Sequence, residues 1–266
     1  MLSRAFGALT RVPMPRVFLR RFIAWYTAKF GVNASEYVEP AGGFRTINEF
    51  FTRKLKDGVR PVDGDPQSVV SPVDARVDQY GRIDAEKLIQ AKGIDYRLSE
   101  LVPSEMHRHF LDGEFITLYL SPGDYHRIHS PVKGTIEGYF HVPGKLFTVQ
   151  EFMVQSLPDL FSINERLISY VRAPGGMAAV CKVGATNVGR ISLSYDTVIT
   201  NRTFRSRKER LYGDGEKKEI GRGGELGTFN LGSTVVLLFE KGMVRFDPLE
   251  LGSRVKLGQR IAALLR

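Results

Sequence analysis

Hydrophobic positions along this 266-residue chain change their spacing once, near residue 60. Before that point they recur at helical intervals. In Arg16-Val-Phe-Leu-Arg-Arg-Phe-Ile-Ala-Trp-Tyr26 the spacing stacks Phe18, Phe22 and Trp25 on one side, with Arg16 and Arg20 roughly opposite. A second helix is predicted over residues 46–56. Thr46 and Glu49 have capping-box spacing, Ile47, Phe50, Phe51 and Leu55 form the apolar face, and Gly58 is a natural stop. Arg60-Pro-Val-Asp-Gly-Asp-Pro66 then reads as a loop. From about Val69 the pattern becomes short β-branched runs cut by Gly and Pro, at 114–120, 134–141, 178–183, 190–200 and 234–240. A helical interlude is predicted over 160–171 and a strand-turn-strand over 255–261. Residues 202–224, with eight basic and four acidic side chains, read as a mobile loop. The predicted fold is α+β: N-terminal amphipathic helices over residues 1–60, then a mostly antiparallel β sandwich or barrel-type core over 61–266.

Composition narrows the class. Apolar content of 42% and charged content of 25% are those of an ordinary soluble globular chain, long enough to bury a full core. The single cysteine, Cys181, excludes an internal disulfide and a multi-cysteine metal site, and its alternating segment reads as a buried strand. The charge of +9 is unevenly placed: residues 1–35 hold Arg4, Arg11, Arg16, Arg20, Arg21 and Lys29 and no acid. No apolar run approaches the roughly 18–20 residues of a spanning helix. There is no secretory h-region, so a cytosolic-side location is expected. A basic amphipathic helix with Phe18, Phe22, Trp25 and Tyr26 suits insertion into an anionic lipid surface, with Arg20 and Arg21 at the headgroups. A helix docked on the protein's own core would show the same pattern.

The most telling stretch is Phe229-Asn-Leu-Gly-Ser-Thr-Val-Val-Leu-Leu-Phe-Glu240, where Gly232-Ser233 stands directly before a buried apolar run. A small hydroxyl adds little to a core. Gly232 tolerates backbone geometries that other residues resist, so Ser233 Oγ can fold back on the preceding carbonyl. That attack would exchange amide for ester, and β-elimination would then leave a pyruvoyl group at the new N-terminus. Leu-Gly-Ser recurs at 251–253, where the following Arg254 suggests a turn.

Self-attack needs a base, and the base needs orienting. Of five histidines, His126 and His129 lie three residues apart in Gly123-Asp-Tyr-His-Arg-Ile-His-Ser-Pro131, a loop that can aim both at one point. Asp74 in Ser71-Pro-Val-Asp74 is an available carboxylate, although spacing alone does not select it over a turn role. In order, the chain holds Asn48-Glu-Phe-Phe-Thr-Arg-Lys-Leu55, Arg60-Pro61, Ser71-Pro-Val-Asp74, Lys92-Gly93 with Tyr96, and Tyr125-His-Arg-Ile-His129 with Ser130-Pro131. Asn164-Glu-Arg166, Gly224-Glu-Leu-Gly227 and Leu231-Gly-Ser-Thr234 complete the series. Together these resemble the phosphatidylserine decarboxylases of the membrane-associated type, over nearly the whole chain.

The resemblance implies a processing triad of Ser233, His129 as base and Asp74 fixing the imidazole tautomer. Cleavage between Gly232 and Ser233 would give associated chains 1–232 and 233–266, a heterodimer with room to dimerise further. It implies a self-made pyruvoyl cofactor, no metal and no pyridoxal phosphate, with His126 serving the substrate step. The substrate would be phosphatidylserine in an anionic bilayer, met by a peripheral protein on the cytoplasmic face of the inner membrane; no nucleic-acid partner is implied. Ala75 stands where that family usually has Gly, and would strain the loop if a positive φ were needed there. Lysostaphin-type zinc endopeptidases and phosphocarrier proteins share a similar β sandwich. In the former, His126, His129 and Asp74 would ligate zinc. A lipid-binding module without activity is a third reading.

Overall fold

The computed structural model describes residues 10–91, 94–186, 190–200, 206–230 and 233–265. Helix α1 (Arg16–Phe30) ends at Gly31, whose left-handed φ of 66° lets its N–H bond Thr27 O. Helix α2 (Ile47–Phe51) begins with the expected cap: Thr46 accepts the Glu49 N–H, while Glu49 takes the Arg45 N–H at 2.7 Å. It is shorter than the predicted 46–56. Residues beyond Thr52 turn extended because Lys54 O accepts from Val38 N, and Leu55 bridges Tyr37. Leu19, Tyr26, Val32, Tyr37, Phe44, Phe50 and Phe51 close into a small core of their own.

The strands begin with β1 (Ser68–Val70), β2 (Ala75–Arg82), β3 (Lys87–Ala91) and β4 (Ile94–Arg97). Next come β5 (Glu114–Leu120), β6 (Arg127–His129), β7 (Gly134–Val142), β8 (Arg166–Ala173) and β9 (Gly176–Val183). β10 (Ile191–Leu193), β11 (Lys208–Leu211), β12 (Lys218–Ile220) and β13 (Glu225–Phe229) lead to β14 (Ser233–Phe239). β15 (Val244–Phe246), β16 (Arg254–Val255) and β17 (Arg260–Leu264) finish the fold.

The main sheet runs β11-β7-β8-β9-β14-β5-β2-β16, with β12 also on β7, and stays open. Smaller sheets β10-β13-β6 and β1-β17-β15 accompany it, and every pairing between these strands is antiparallel. The α+β expectation therefore holds as a sandwich-type core without barrel closure. Two local expectations fail. Of residues 160–171, predicted helical, Leu160–Ile163 is a helix, but 166–171 belong to β8, because a run buried on both faces satisfies its backbone best between two partner strands, β7 and β9. Within 202–224, residues 208–211 and 218–220 pair along the edge of β7. Of the 190–200 run, only Ile191–Leu193 is strand. Gly252, at φ 86°, makes 251–253 the expected turn, and Cys181 is buried with burial pushing its thiol up to about 12.

Candidate active site

Ser233 opens β14, the strand held between β5 and β9, and pairs with Leu120 at the end of β5. All seven residues of β14 are buried, so the apolar run that follows the serine is a central strand packed on both faces. Ser233 is 1% exposed and its Oγ has no hydrogen-bond partner. It lines a cavity of about 500 Å³ whose walls include Phe22, Tyr26 and Phe30 of α1, Ile47, Phe50 and Phe51 of α2, residues 148–150, Ala185 and Thr186. Among the described residues no charged side chain lines that cavity. Its size is that of an ordinary small-molecule site. The Gly232 half of the expected scissile bond lies outside the described residues, as do Leu231 and Lys92-Gly93.

The chain leaving Leu120 turns at once. Ser121 N donates to Asp124 Oδ2 at 2.7 Å, Asp124 N to Ser121 O at 3.0 Å, and Arg254 pairs with Asp124 Oδ1. This turn delivers His126 fully buried, with Nδ1–H donating to Asp124 O at 2.7 Å. A carbonyl can only accept, so Nδ1 carries the hydrogen and Nε2 keeps a bare lone pair. Nε2 has no partner, and the Phe51 ring packs 4.1 Å from the imidazole. Burial pulls this histidine down to about 3, so it is neutral at physiological pH. His126 O accepts from Phe229 N at 2.9 Å, which ties the histidine loop to the strand leading into Ser233.

His129 ends β6, opposite Glu225 of β13. Its Nδ1–H donates to Gly223 O at 2.8 Å, leaving a second buried Nε2 without a partner. Burial again lowers its basicity. The expected contact from Asp74 to this imidazole is not made, because the carboxylate is already engaged. Arg60 Nε and Nη2 grip it at 2.8–3.2 Å, and Leu257 N donates to Oδ1 at 2.9 Å. Asp74 thus acts on His129 as a nearby charge that favours protonation, while Gly223 O sets the tautomer. Gly223, at φ 77°, takes a conformation that a side chain would strain. Ala75 has no positive φ and sits in β2, so its replacement of glycine costs nothing there.

The helical region turns out to be part of the site. The predicted stripe divides: Phe18 and Trp25 are 60% and 52% exposed, whereas Phe22 lines the cavity and Tyr26 is buried. Arg20 and Arg21 are exposed. Tyr26 OH donates to Pro122 O at 2.7 Å, Arg53 Nη2 to Gly123 O at 2.9 Å, and Arg127 Nη2 to Thr52 O at 2.9 Å. Gly123 lies so close to α1 that a Cβ there would sit 2.3 Å from Phe30 O. Arg53, buried and holding backbone carbonyls, and Arg60 were legible only as members of the quoted motifs. Gly223 carried no sequence signal beyond its neighbour Gly224. Among the described residues no group of three His, Cys, Asp or Glu side chains could hold a metal ion, and no helix is long and apolar enough to cross a membrane.

The family model described as phosphatidylserine decarboxylase matches residues 47–263. A phosphatidylserine decarboxylase proenzyme of Myxococcus xanthus is 43% identical over 99% of this chain and 94% of its own length. Proenzymes of the same description from Anaeromyxobacter sp. and Brevibacillus brevis are 42% and 39% identical. They cover 97% and 98% of this chain and 92% of their own lengths.

Proposed function

Because the chain belongs to the phosphatidylserine decarboxylase family, whose reaction removes CO₂ from phosphatidylserine to leave phosphatidylethanolamine, we propose that it first makes its own catalytic ketone at Ser233. The zinc endopeptidase, phosphocarrier and inactive lipid-binding readings lose their support to that membership. The observation that carries the proposal is a buried Ser233 Oγ with no partner, at the head of β14, together with two buried imidazoles whose Nε2 atoms are equally bare. Buried polar atoms are usually paired, and Phe51, whose ring packs 4.1 Å from the His126 imidazole, lines the same cavity as Ser233, which favours chemistry over packing there.

His129 Nε2 takes the hydroxyl proton of Ser233, and Oγ attacks the Gly232 carbonyl carbon. The C–N bond breaks as the Oγ–C bond forms, and the freed nitrogen takes the proton. Loss of the Cα proton then breaks the Cβ–Oγ bond, which leaves a Gly232 carboxylate. Hydrolysis of the unsaturated residue 233 releases ammonia. Asp74, clamped by Arg60, stabilises the transient imidazolium through its field.

The pyruvoyl group supplies a ketone that takes the substrate amine and accepts the electrons left when CO₂ departs. The free Ser233 Oγ and the room beside it fit such a group. His126 Nε2, bare and packed against the cavity-lining Phe51, is the group assigned to deliver a proton to Cα after CO₂ leaves. Among the described residues the cavity offers the carboxylate no cation, which favours its loss as a neutral molecule. Exposed Phe18 and Trp25, with Arg20 and Arg21, would meet the anionic cytoplasmic leaflet of the inner membrane, and residues 1–232 and 233–266 would stay paired through β14. Intact-mass analysis of purified protein should find a 233–266 fragment beginning with pyruvoyl. Ser233→Ala should give one uncut chain without decarboxylase activity; an active uncut variant overturns the reading.

A further inference from the structure

Asn164 opens the Asn164-Glu-Arg166 motif, and neither the self-cleavage nor the two imidazoles make use of it. It is fully buried, and its side chain works as a piece of backbone. Oδ1 accepts from Phe147 N at 3.0 Å, while Nδ2 donates to Phe147 O and to Gly184 O, each at 2.9 Å. One amide therefore gives Phe147 both bonds that a neighbouring strand would give, and adds a third to a separate segment.

Those two segments need such a partner. Residues 143–150 belong to no helix or strand, and β9 ends at Val183. They are drawn together around the motif. Lys145 N donates to Ile163 O at 2.9 Å, Glu165 N to Lys145 O at 2.8 Å, and Gly184 N to Glu165 O at 2.8 Å. Thr186 N reaches Phe147 O at 3.3 Å, and Thr186 Oγ1 donates to Leu146 O at 2.8 Å. The fit is close: a Cβ on Gly144 would lie 2.4 Å from Ile163 O, and one on Gly184 would lie 3.0 Å from Leu146 Cδ2. Buried Arg166 donates to Asn164 O at 3.0 Å and so holds the motif's own backbone.

The seam continues directly into the cavity that Ser233 lines. Thr148, Val149 and Gln150 follow Phe147, and Ala185 and Thr186 follow Gly184; all five line it. Helices α1 and α2 supply aromatic and aliphatic lining, whereas this part carries two hydroxyls and an amide. An amphipathic lipid can set its polar headgroup against such groups and its apolar remainder against the rings. We propose that Asn164 is a positioning residue for decarboxylation: it locks 147–150 and 184–186 into one lining surface, where Thr148, Gln150 and Thr186 receive the headgroup. The role rests on the phosphatidylserine reading and deepens it. Ser233 and the two imidazoles are held by other bonds, to Leu120, Asp124 and Gly223, so self-cleavage does not depend on the seam.

The test compares Asn164→Ala with Val171→Ala on soluble short-chain phosphatidylserine, well below their melting temperatures. Val171 is buried in β8 and pairs with Ile136 and Ala178, so its truncation lowers stability without touching the seam. Asn164→Ala should raise KM about tenfold, because a displaced lining loses binding, while forming the 233–266 fragment within about threefold of the wild-type rate. Val171→Ala should keep the wild-type KM. An unchanged KM in Asn164→Ala overturns the role, and so does a folded Asn164→Ala that cannot cut itself. An equal KM rise in Val171→Ala overturns it too, as general loosening. In the wild type the Phe147 amide should exchange with deuterium at least about 10²-fold more slowly than a free peptide. Free exchange there overturns the clamp even if Asn164→Ala does not fold. Wild-type protein that forms the fragment but releases no CO₂ from phosphatidylserine would instead sink the substrate reading.

Discussion

Two groups of buried polar atoms, one built around Lys182 and one around Ser233, are treated in opposite ways. Lys182 pairs across the sheet with Val235, and Ser233 lies two residues away on the same strand as that valine, so both side chains project to the same side. The lysine sits in a network: Nζ donates to Ser169 Oγ at 2.6 Å and Val180 O at 3.2 Å, and Ser169 Oγ meets Tyr195 OH at 2.6 Å. Ser233 Oγ and the Nε2 atoms of His126 and His129 are equally buried and have nothing. A closed network fixes packing. An open set leaves lone pairs and a proton uncommitted, as the proposed reaction needs.

The contrast breaks first at the histidines. His129→Ala should slow self-cleavage by roughly 10²–10⁴-fold, whereas His126→Ala should still be cut but lose decarboxylation by a similar factor. A time course of fragment formation beside CO₂ release separates them, and cleavage of His129→Ala at the wild-type rate would remove its assigned role. The next effect belongs to Lys182, which burial lowers to about 7 from the ordinary 10.5. Between those values the unfolded chain binds the extra proton, so this group makes stability rise with pH across that window. The contribution is complete above 10.5 and lost as pH falls through 7. Lys182→Met should abolish that rise, stabilise the fold by about 1–3 kcal/mol near pH 7, and leave cleavage intact. Melting curves at pH 6, 8 and 10 decide it; a variant with the wild-type pH slope would place the proton elsewhere. The smallest effect tests the repeated tripeptide. Ser253→Ala, on its turn, should change stability by no more than about 0.5 kcal/mol and leave processing untouched, as one melt and one mass spectrum would report.

That repeat shows where sequence reading succeeds. Leu-Gly-Ser occurs twice, and only the residues downstream distinguish the copies: Thr234 to Phe239 forms a wholly buried strand, while Arg254 lies on an exposed edge. The antiparallel core, the cap at Thr46 and the turn at Gly252 were equally readable, because local chemistry and burial agree there. Residues 166–171 misled because Leu167, Ile168, Tyr170 and Val171 fall at helical spacing although the segment is buried on both faces as a strand. Phe22 and Tyr26 misled for another reason. An amphipathic stripe records that a face is apolar but not whether lipid or protein covers it, and here part of it covers Ser233. The Asp74 contact was out of reach because Arg60, in the loop ahead of it, competes for the same carboxylate.

The place of β14 has a consequence for the enzyme's lifetime. A chain severed just before Ser233 leaves a short polypeptide woven into the middle of a sheet, with a neighbour zipped along each flank. It stays put while the sheet is whole, but melting sets it adrift. Reassembly is then an encounter between two molecules and depends on concentration, where the uncut precursor needed only to refold on itself. Maturation would therefore turn a recoverable thermal transition into a one-way loss in dilute solution.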